Sequence, residues 1–233
     1  MNLRLLALLA LSTLRPQASA QEEIRRPAAV STIAETELVE FSAQPSKIQA
    51  LIRSALALTR LNLTYLFGSN EPRRGGMDCS GTMHHLLSKA GIKDVPRQSD
   101  EMCDWVAAKS RLHRITLADS LNHQEFAALR PGDLIFWSGT YEPGLRRTPV
   151  THVMLYLGTN SKNGSPVVFG ASDGRRYEGQ RRTGVSVFDL VLPRPDSKAS
   201  VHGYGSVPGL VTVSPASPIE PTPQSPPPAR KDP

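Results

Sequence analysis

Hydrophobic positions change their spacing along this 233-residue chain. Between Pro45 and Thr64 they recur at helical intervals: Ile48, Leu51, Ile52, Ala55, Leu56 and Leu58, which predicts a helix with Ser46 as its candidate N-cap. A second helix is expected from Cys79 to about Ala90, with an apolar run from Met83 to Leu87 and Gly91 suited to the position after its last turn. A third spans Asp100 to Lys109 and carries Met102, Cys103, Trp105 and Val106. Beyond it the apolar positions become short runs: Leu134–Trp137, Thr151–Gly158, Pro166–Ala171, and Val185–Phe188 with Leu190–Leu192. Glycine- and proline-containing turns separate them, so they read as strands. The stretch from Ile115 to Leu129 is weakly patterned, with a short helix expected near Asn122–Leu129. Ser172–Gly184, rich in arginine and glycine, reads as a loop. Helices first and tightly connected strands afterwards imply an α+β domain with an antiparallel sheet.

The two ends differ from this middle. Met1–Arg4 is a positive leader, Leu5–Leu14 a short apolar run, and Ala18-Ser19-Ala20 a small-residue cleavage site. Residues 1–20 therefore read as a secretory signal peptide cut near Ala20, with the mature protein exported to the periplasm, cell wall or medium. Residues 21–45 are polar and unpatterned, a lead-in that is either flexible or packed at the periphery. The folded domain is expected over 46–195. Residues 196–233 read as a mostly disordered tail, strongly enriched in Pro, Ser and Thr from 214 onward, with Val201–Val213 ambiguous between tail and docked segment. No later run is long and apolar enough to span a bilayer.

A net charge of +6 and a pI near 9.6 favour anionic partners, namely cell-wall polymers, acidic lipid or nucleic acid, and charge alone does not choose among them. The candidate chemistry does. Cys79 follows a Gly-rich turn and opens a helix, where free backbone N–H groups and the helix dipole favour the nucleophilic thiolate. With two cysteines in an exported chain, a Cys79–Cys103 disulfide is an equal rival on count alone. A thiol nucleophile needs a base, usually histidine. His84 and His85 lie on the cysteine's own helix and point away from its start; His113 and His123 fall in the least patterned region; His202 lies beyond the expected core. His152 opens an apolar strand directly after a loop, which suits a base at a cleft, with a merely structural histidine as the alternative. There is no HExxH, Cys-x-x-Cys or Walker-type glycine loop, so neither a metal nor a cofactor is expected.

Five segments in order make the chain recognisable: Tyr65-Leu66-Phe67-Gly68, Asp78-Cys79-Ser80-Gly81, Val95-Pro96-Arg97-Gln98-Ser99, Leu129 to Phe136, and Thr151 to Gly158. Together they resemble the NlpC-type cell-wall cysteine peptidases over roughly residues 60–192. The resemblance implies a papain-like α+β fold, the nucleophile helix packed on an antiparallel sheet. It implies Cys79 as nucleophile, His152 as base, Tyr65 near the nucleophile, and Asp78 and Ser80 holding the substrate's amino end. The substrate implied is peptidoglycan, cut at amide bonds of its stem peptides, often between D-γ-glutamyl and diaminopimelate residues, without nucleic acid or cofactor. A free Cys79 is implied as well, with Cys103 a small buried side chain. One position departs: the third polar residue that usually follows the base aligns with Gly170, leaving Ser172 or Asp173 as candidates to orient His152. That departure keeps open a non-catalytic wall-binding module, and the scaffold keeps open another thiol acyl hydrolase or acyltransferase. Arginine pairs at 73–74, 146–147, 175–176 and 181–182 flank the motifs and would form a cationic rim if the loops converge, the alternative being solvated surface charge.

Overall fold

The computed structural model describes residues 26–109 and 111–210; the expected signal peptide and the Pro-rich stretch from 214 lie outside them. The sequence pattern becomes three helices and a sheet. Helix α1 (Ser46–Thr59) buries Ile48, Leu51, Ile52, Ala55 and Leu56, one stripe at i, i+3, i+4, i+7, i+8. Burying each of the larger ones contributes about 1.5–3 kcal/mol relative to leaving it exposed. After it come the two-residue strands β1 (Thr64–Tyr65) and β2 (Gly76–Met77), paired in parallel, then α2 (Cys79–Lys89) and α3 (Ser99–Ala108). Helix α2 ends where Gly91 turns left-handed (φ +82°), letting the N–H groups of Gly91 and Ile92 satisfy the carbonyls of Ser88 and Leu87. Gln98 and Glu101 close a capping box at the start of α3.

Strands β3 (Leu112–Arg114), β4 (Asp133–Ser138), β5 (Val150–Thr159), β6 (Pro166–Tyr177), β7 (Gln180–Asp189) and β8 (Ser200–Ser206) form one sheet in the order β3-β8-β4-β5-β6-β7, every pairing antiparallel. The fold is therefore α+β. One face, with Phe136, Val153, Leu155, Phe169 and Val187, packs with Leu51, Met83, Leu87 and Met102 of the helices. The other, with Trp137, Met154, Val168, Phe188 and Tyr204, lies under residues from 115–129. Both faces being covered explains why β4 and β5 read as nearly continuous apolar runs.

Two expectations are corrected, and one left open is decided. The loop expected at Ser172–Gly184 is mostly strand: β6 and β7 run on as a hairpin, Arg176 opposite Arg181, reversed at Glu178 and Gly179, both at positive φ. This hairpin's charged residues give no apolar period to read. The domain does not stop at 195, because β8 sits inside the sheet between β3 and β4. Of the two readings of the lead-in, the packed one holds from residue 26 on: Ile33, Leu38 and Phe41 are buried, and Ala29 and Leu38 bridge to Thr183 and Asn160.

Candidate active site

Asp78 caps α2, its Oδ1 accepting from the Gly81 N–H. It does more than cap. Arg97 grips both carboxylate oxygens (3.1 and 2.8 Å), Gly68 N–H donates to Oδ2, and Ser80 Oγ lies between Asp78 and Arg97. A charge-assisted, forked pair of this kind holds a loop rigidly on a helix start. It ties together three of the sequence motifs: the turn after Tyr65, the cysteine segment and the segment carrying Arg97. Both Asp78 oxygens are occupied, so its observed work is architectural. Gly81 is small for a reason, since a Cβ there would run into the Ser69 carbonyl.

Cys79 is buried at the helix start, where the nearby backbone N–H groups of Val153 and Ser80 favour its thiolate. Val153 follows His152 in β5, so the helix start is seated directly against the strand at the histidine. The helix-start position does not yield a ready thiolate. Burial, then the charge of Asp78, outweighs the two N–H donors and Arg97, and pushes the thiol up to about 11. Both cysteines are free, Cys103 lying buried in α3.

His152 is also buried. Its ring meets the edge of Trp137, its partner across β4, at 5.6 Å between centroids. Burial and then the positive charge of Arg175 hold it well below its ordinary value, hence neutral. Its Nε2 is buried without a hydrogen-bond partner, and no hydrogen bond joins His152 to Cys79, Ser172 or Asp173 among the described residues.

Two adjoining cavities meet at Tyr65, Tyr141 and Thr151. One of about 260 Å³ exposes Cys79, Asp78, Ser80 and Arg97; the other, about 330 Å³, exposes His152, Ser172, Asp173 and Arg175. All the candidate residues thus reach one cleft, although neither Ser172 nor Asp173 bonds to the imidazole. The place of the usual third residue is filled from the other strand. A Cβ on Gly170 would lie 2.8 Å from Met154 Cγ. Burial, reinforced by the charges of Cys79 and Asp78, pushes the Tyr65 phenol up.

The arginine pairs do not form a common rim. Arg146 is held by Asp100 Oδ1, the Val150 carbonyl and Tyr141 Oη, and Arg147 pairs with Asp104. Arg175 alone of those four pairs lines the His152 cavity. The sequence reading missed it as an individual residue because its segment was taken for a loop. It also missed Tyr141, in a loop with no pattern, and Arg97, which stood in a quoted motif without a visible partner. Among the described residues no cluster of His, Cys, Asp and Glu could hold a metal, and no helix is long and apolar enough to cross a membrane.

A buried cysteine at a helix start, set against a strand that carries a histidine, in an α+β domain, is the layout of a thiol hydrolase. Residues 62–166, the segment carrying Tyr65, Asp78, Cys79, Ser80 and His152, match the NlpC/P60 family model. The family is one of cysteine peptidases and hydrolases of the cell wall. The match stops at the first residue of β6 and does not reach Gly170 or Arg175. No curated protein matches the chain.

Proposed function

We propose that the protein is an exported, papain-like cysteine peptidase that hydrolyses amide bonds in peptidoglycan stem peptides, of the D-γ-glutamyl–diaminopimelate type. The observation that carries this reading is that Cys79 and His152 line two adjoining cavities of one cleft, which share Tyr65, Tyr141 and Thr151.

With thiol and imidazole both neutral at rest, the proton moves during attack. As Cys79 Sγ bonds to the amide carbonyl carbon, its proton passes to the imidazole of His152. Backbone N–H groups around Cys79 stabilise the developing oxyanion. The imidazolium then protonates the amide nitrogen, the C–N bond breaks, and the amine leaves on the His152 side. Water, deprotonated by His152, releases the acyl group from the thioester. The acyl portion, with the substrate's amino end, occupies the cavity of Asp78, Ser80 and Tyr65.

A second reading, a wall-binding module without activity, draws on the His152 ring having no hydrogen bond to orient it among the described residues. Digesting purified peptidoglycan with the protein and with Cys79→Ala, then analysing soluble fragments by mass spectrometry, separates the two. Fragments ending at D-γ-glutamyl residues from the first protein alone support the peptidase. Wall binding with no Cys79-dependent product supports the module.

A further inference from the structure

Arg175 is a half-buried cation with nothing to neutralise it. It follows a register break in β6 at Asp173 and Gly174, and it pairs across the hairpin with Arg182, a like-charge pairing that costs stability. Its guanidinium lies over the Trp137 ring at 4.3 Å, the same ring whose edge meets His152. Among the described residues it makes no hydrogen bond and no ion pair. Asp173 lines the same cavity, but its carboxylate does not reach Arg175, and its carbonyl accepts from Arg26 and Arg181. The other two arginines of the cleft are already engaged, Arg97 by Asp78 and Arg146 by Asp100.

Stacking on Trp137 fixes the plane of the guanidinium while leaving its N–H edge unspent. A planar fork of donors facing a cavity of about 330 Å³ suits a planar, bidentate anion. Burial works against the charge and draws Arg175 down to about 10, so an anion delivered by a ligand would be rewarded. We propose that Arg175 binds a free carboxylate of the substrate on the leaving-amine side of the scissile bond. This deepens the function proposed above and rests on it for the assignment of sides, because the amine leaves toward His152, whose cavity Arg175 shares. The same contact would reach the base: burial and then the charge of Arg175 hold His152 neutral, so a carboxylate on Arg175 removes the second of these and helps it accept the Cys79 proton.

The test uses L-alanyl-γ-D-glutamyl-diaminopimelate in three forms: unmodified, amidated at the diaminopimelate carboxylates, and amidated at the glutamyl α-carboxylate. Amidating the diaminopimelate residue is expected to lower kcat/KM about ten- to a hundred-fold in the starting protein and to have little effect in Arg175→Gln. Arg175→Lys should recover part of the discrimination. An undiminished effect in Arg175→Gln, or an effect confined to the glutamyl carboxylate, overturns the proposal while leaving the peptidase reading intact. A second arm does not need cleavage. In Cys79→Ala, the Nε–H resonance of Arg175 is followed by NMR during titration with N-acetylalanine and with its amide. A shift with the acid alone supports carboxylate capture even if no peptide is cut, and no shift with the acid overturns it.

Discussion

Gly170 offers the sharpest test of how this site departs from the arrangement its motifs imply. Met154 and His152 alternate onto the same face of β5, the face that carries Trp137. The recorded β5–β6 register pairs Leu155 with Phe169, so one step further sets Met154 opposite Gly170. A new Cβ at 170 would meet Met154 Cγ at 2.8 Å and Cβ at 3.4 Å, near the stem of the side chain rather than its free end. Met154 is fully buried, so it must leave its rotamer or push its neighbours. Overpacking of this kind costs about 1–3 kcal/mol. Gly170 has no positive φ, so alanine there carries no backbone strain and regains about 0.4–1 kcal/mol through the unfolded chain. Gly170→Ala should therefore destabilise by about 0.5–2 kcal/mol in urea unfolding. Met154→Ala alone should cost about 2–5 kcal/mol. In that background Gly170→Ala should become neutral or stabilising, a coupling of about 1–3 kcal/mol. Additive effects, within about 0.5 kcal/mol, would refute the idea that these two residues share one space. If the coupling is found, Met154→Ala with Gly170→His places an imidazole on the His152 face, where its influence on the pH profile of activity can be read directly.

Alkylation of Cys79 by iodoacetamide should rise about tenfold per pH unit from pH 7 toward the thiol's value near 11, with Cys103 reacting more slowly. A plateau of reactivity below pH 7 would mean a resting thiolate–imidazolium pair and would refute the neutral pair. Arg97→Met leaves the buried Asp78 carboxylate without its cation and should cost about 3–5 kcal/mol in denaturant unfolding, with much of the loss recovered by Asp78→Asn in the same chain. A cost below about 1 kcal/mol would show the pair to be a surface ornament. Glu125 accepts from Thr116, Leu117 and Ala118, which hold its carboxyl down to about 2. Its folded value lies below its unfolded one, so its contribution is complete above about pH 4.5 and is lost as pH falls toward 2. Glu125→Gln should flatten that part of the stability–pH curve; an unchanged curve would rule the contribution out.

What was legible in the sequence tracks how each segment is buried. The stripe of α1 and the runs of β4 and β5 were readable because core packing demands apolar residues there. The distal β6–β7 hairpin was not: Arg175, Arg176, Arg181 and Arg182 carry no alternation that distinguishes strand from loop. Strand β8 was hidden for the opposite reason. Gly203 and Gly205, which weaken a strand signal, are required by crowding: a Cβ at 203 would lie 2.5 Å from the His113 carbonyl, and one at 205 would lie 2.7 Å from Val106 Cγ1. In the site, residue types and order single out Cys79 and His152 as candidates. They could not reveal that Met154 fills the place opposite Gly170, because that depends on a cross-strand pairing. Nor could they show that Arg146 is bound while Arg175 is free, because both stand in identical Arg-Arg pairs.

The protonation of Cys79 turns on a competition that position in the helix does not decide. Each N–H donor at the sulfur, and the dipole behind it, favours the thiolate, and two donors are present. Against them stand a sulfur almost without solvent and a carboxylate on the adjoining residue. Arg97 spends most of its charge on that carboxylate, at 2.8 Å, and so reaches the sulfur only weakly. The same rigid cap that positions Cys79 therefore also keeps it protonated. On the other side of the cleft, burial and then the charge of Arg175 keep His152 from acquiring a proton in advance. With both groups neutral at rest, the proposed proton transfer would begin only once a substrate changes the local field, which would tie the start of the chemistry to an occupied cleft.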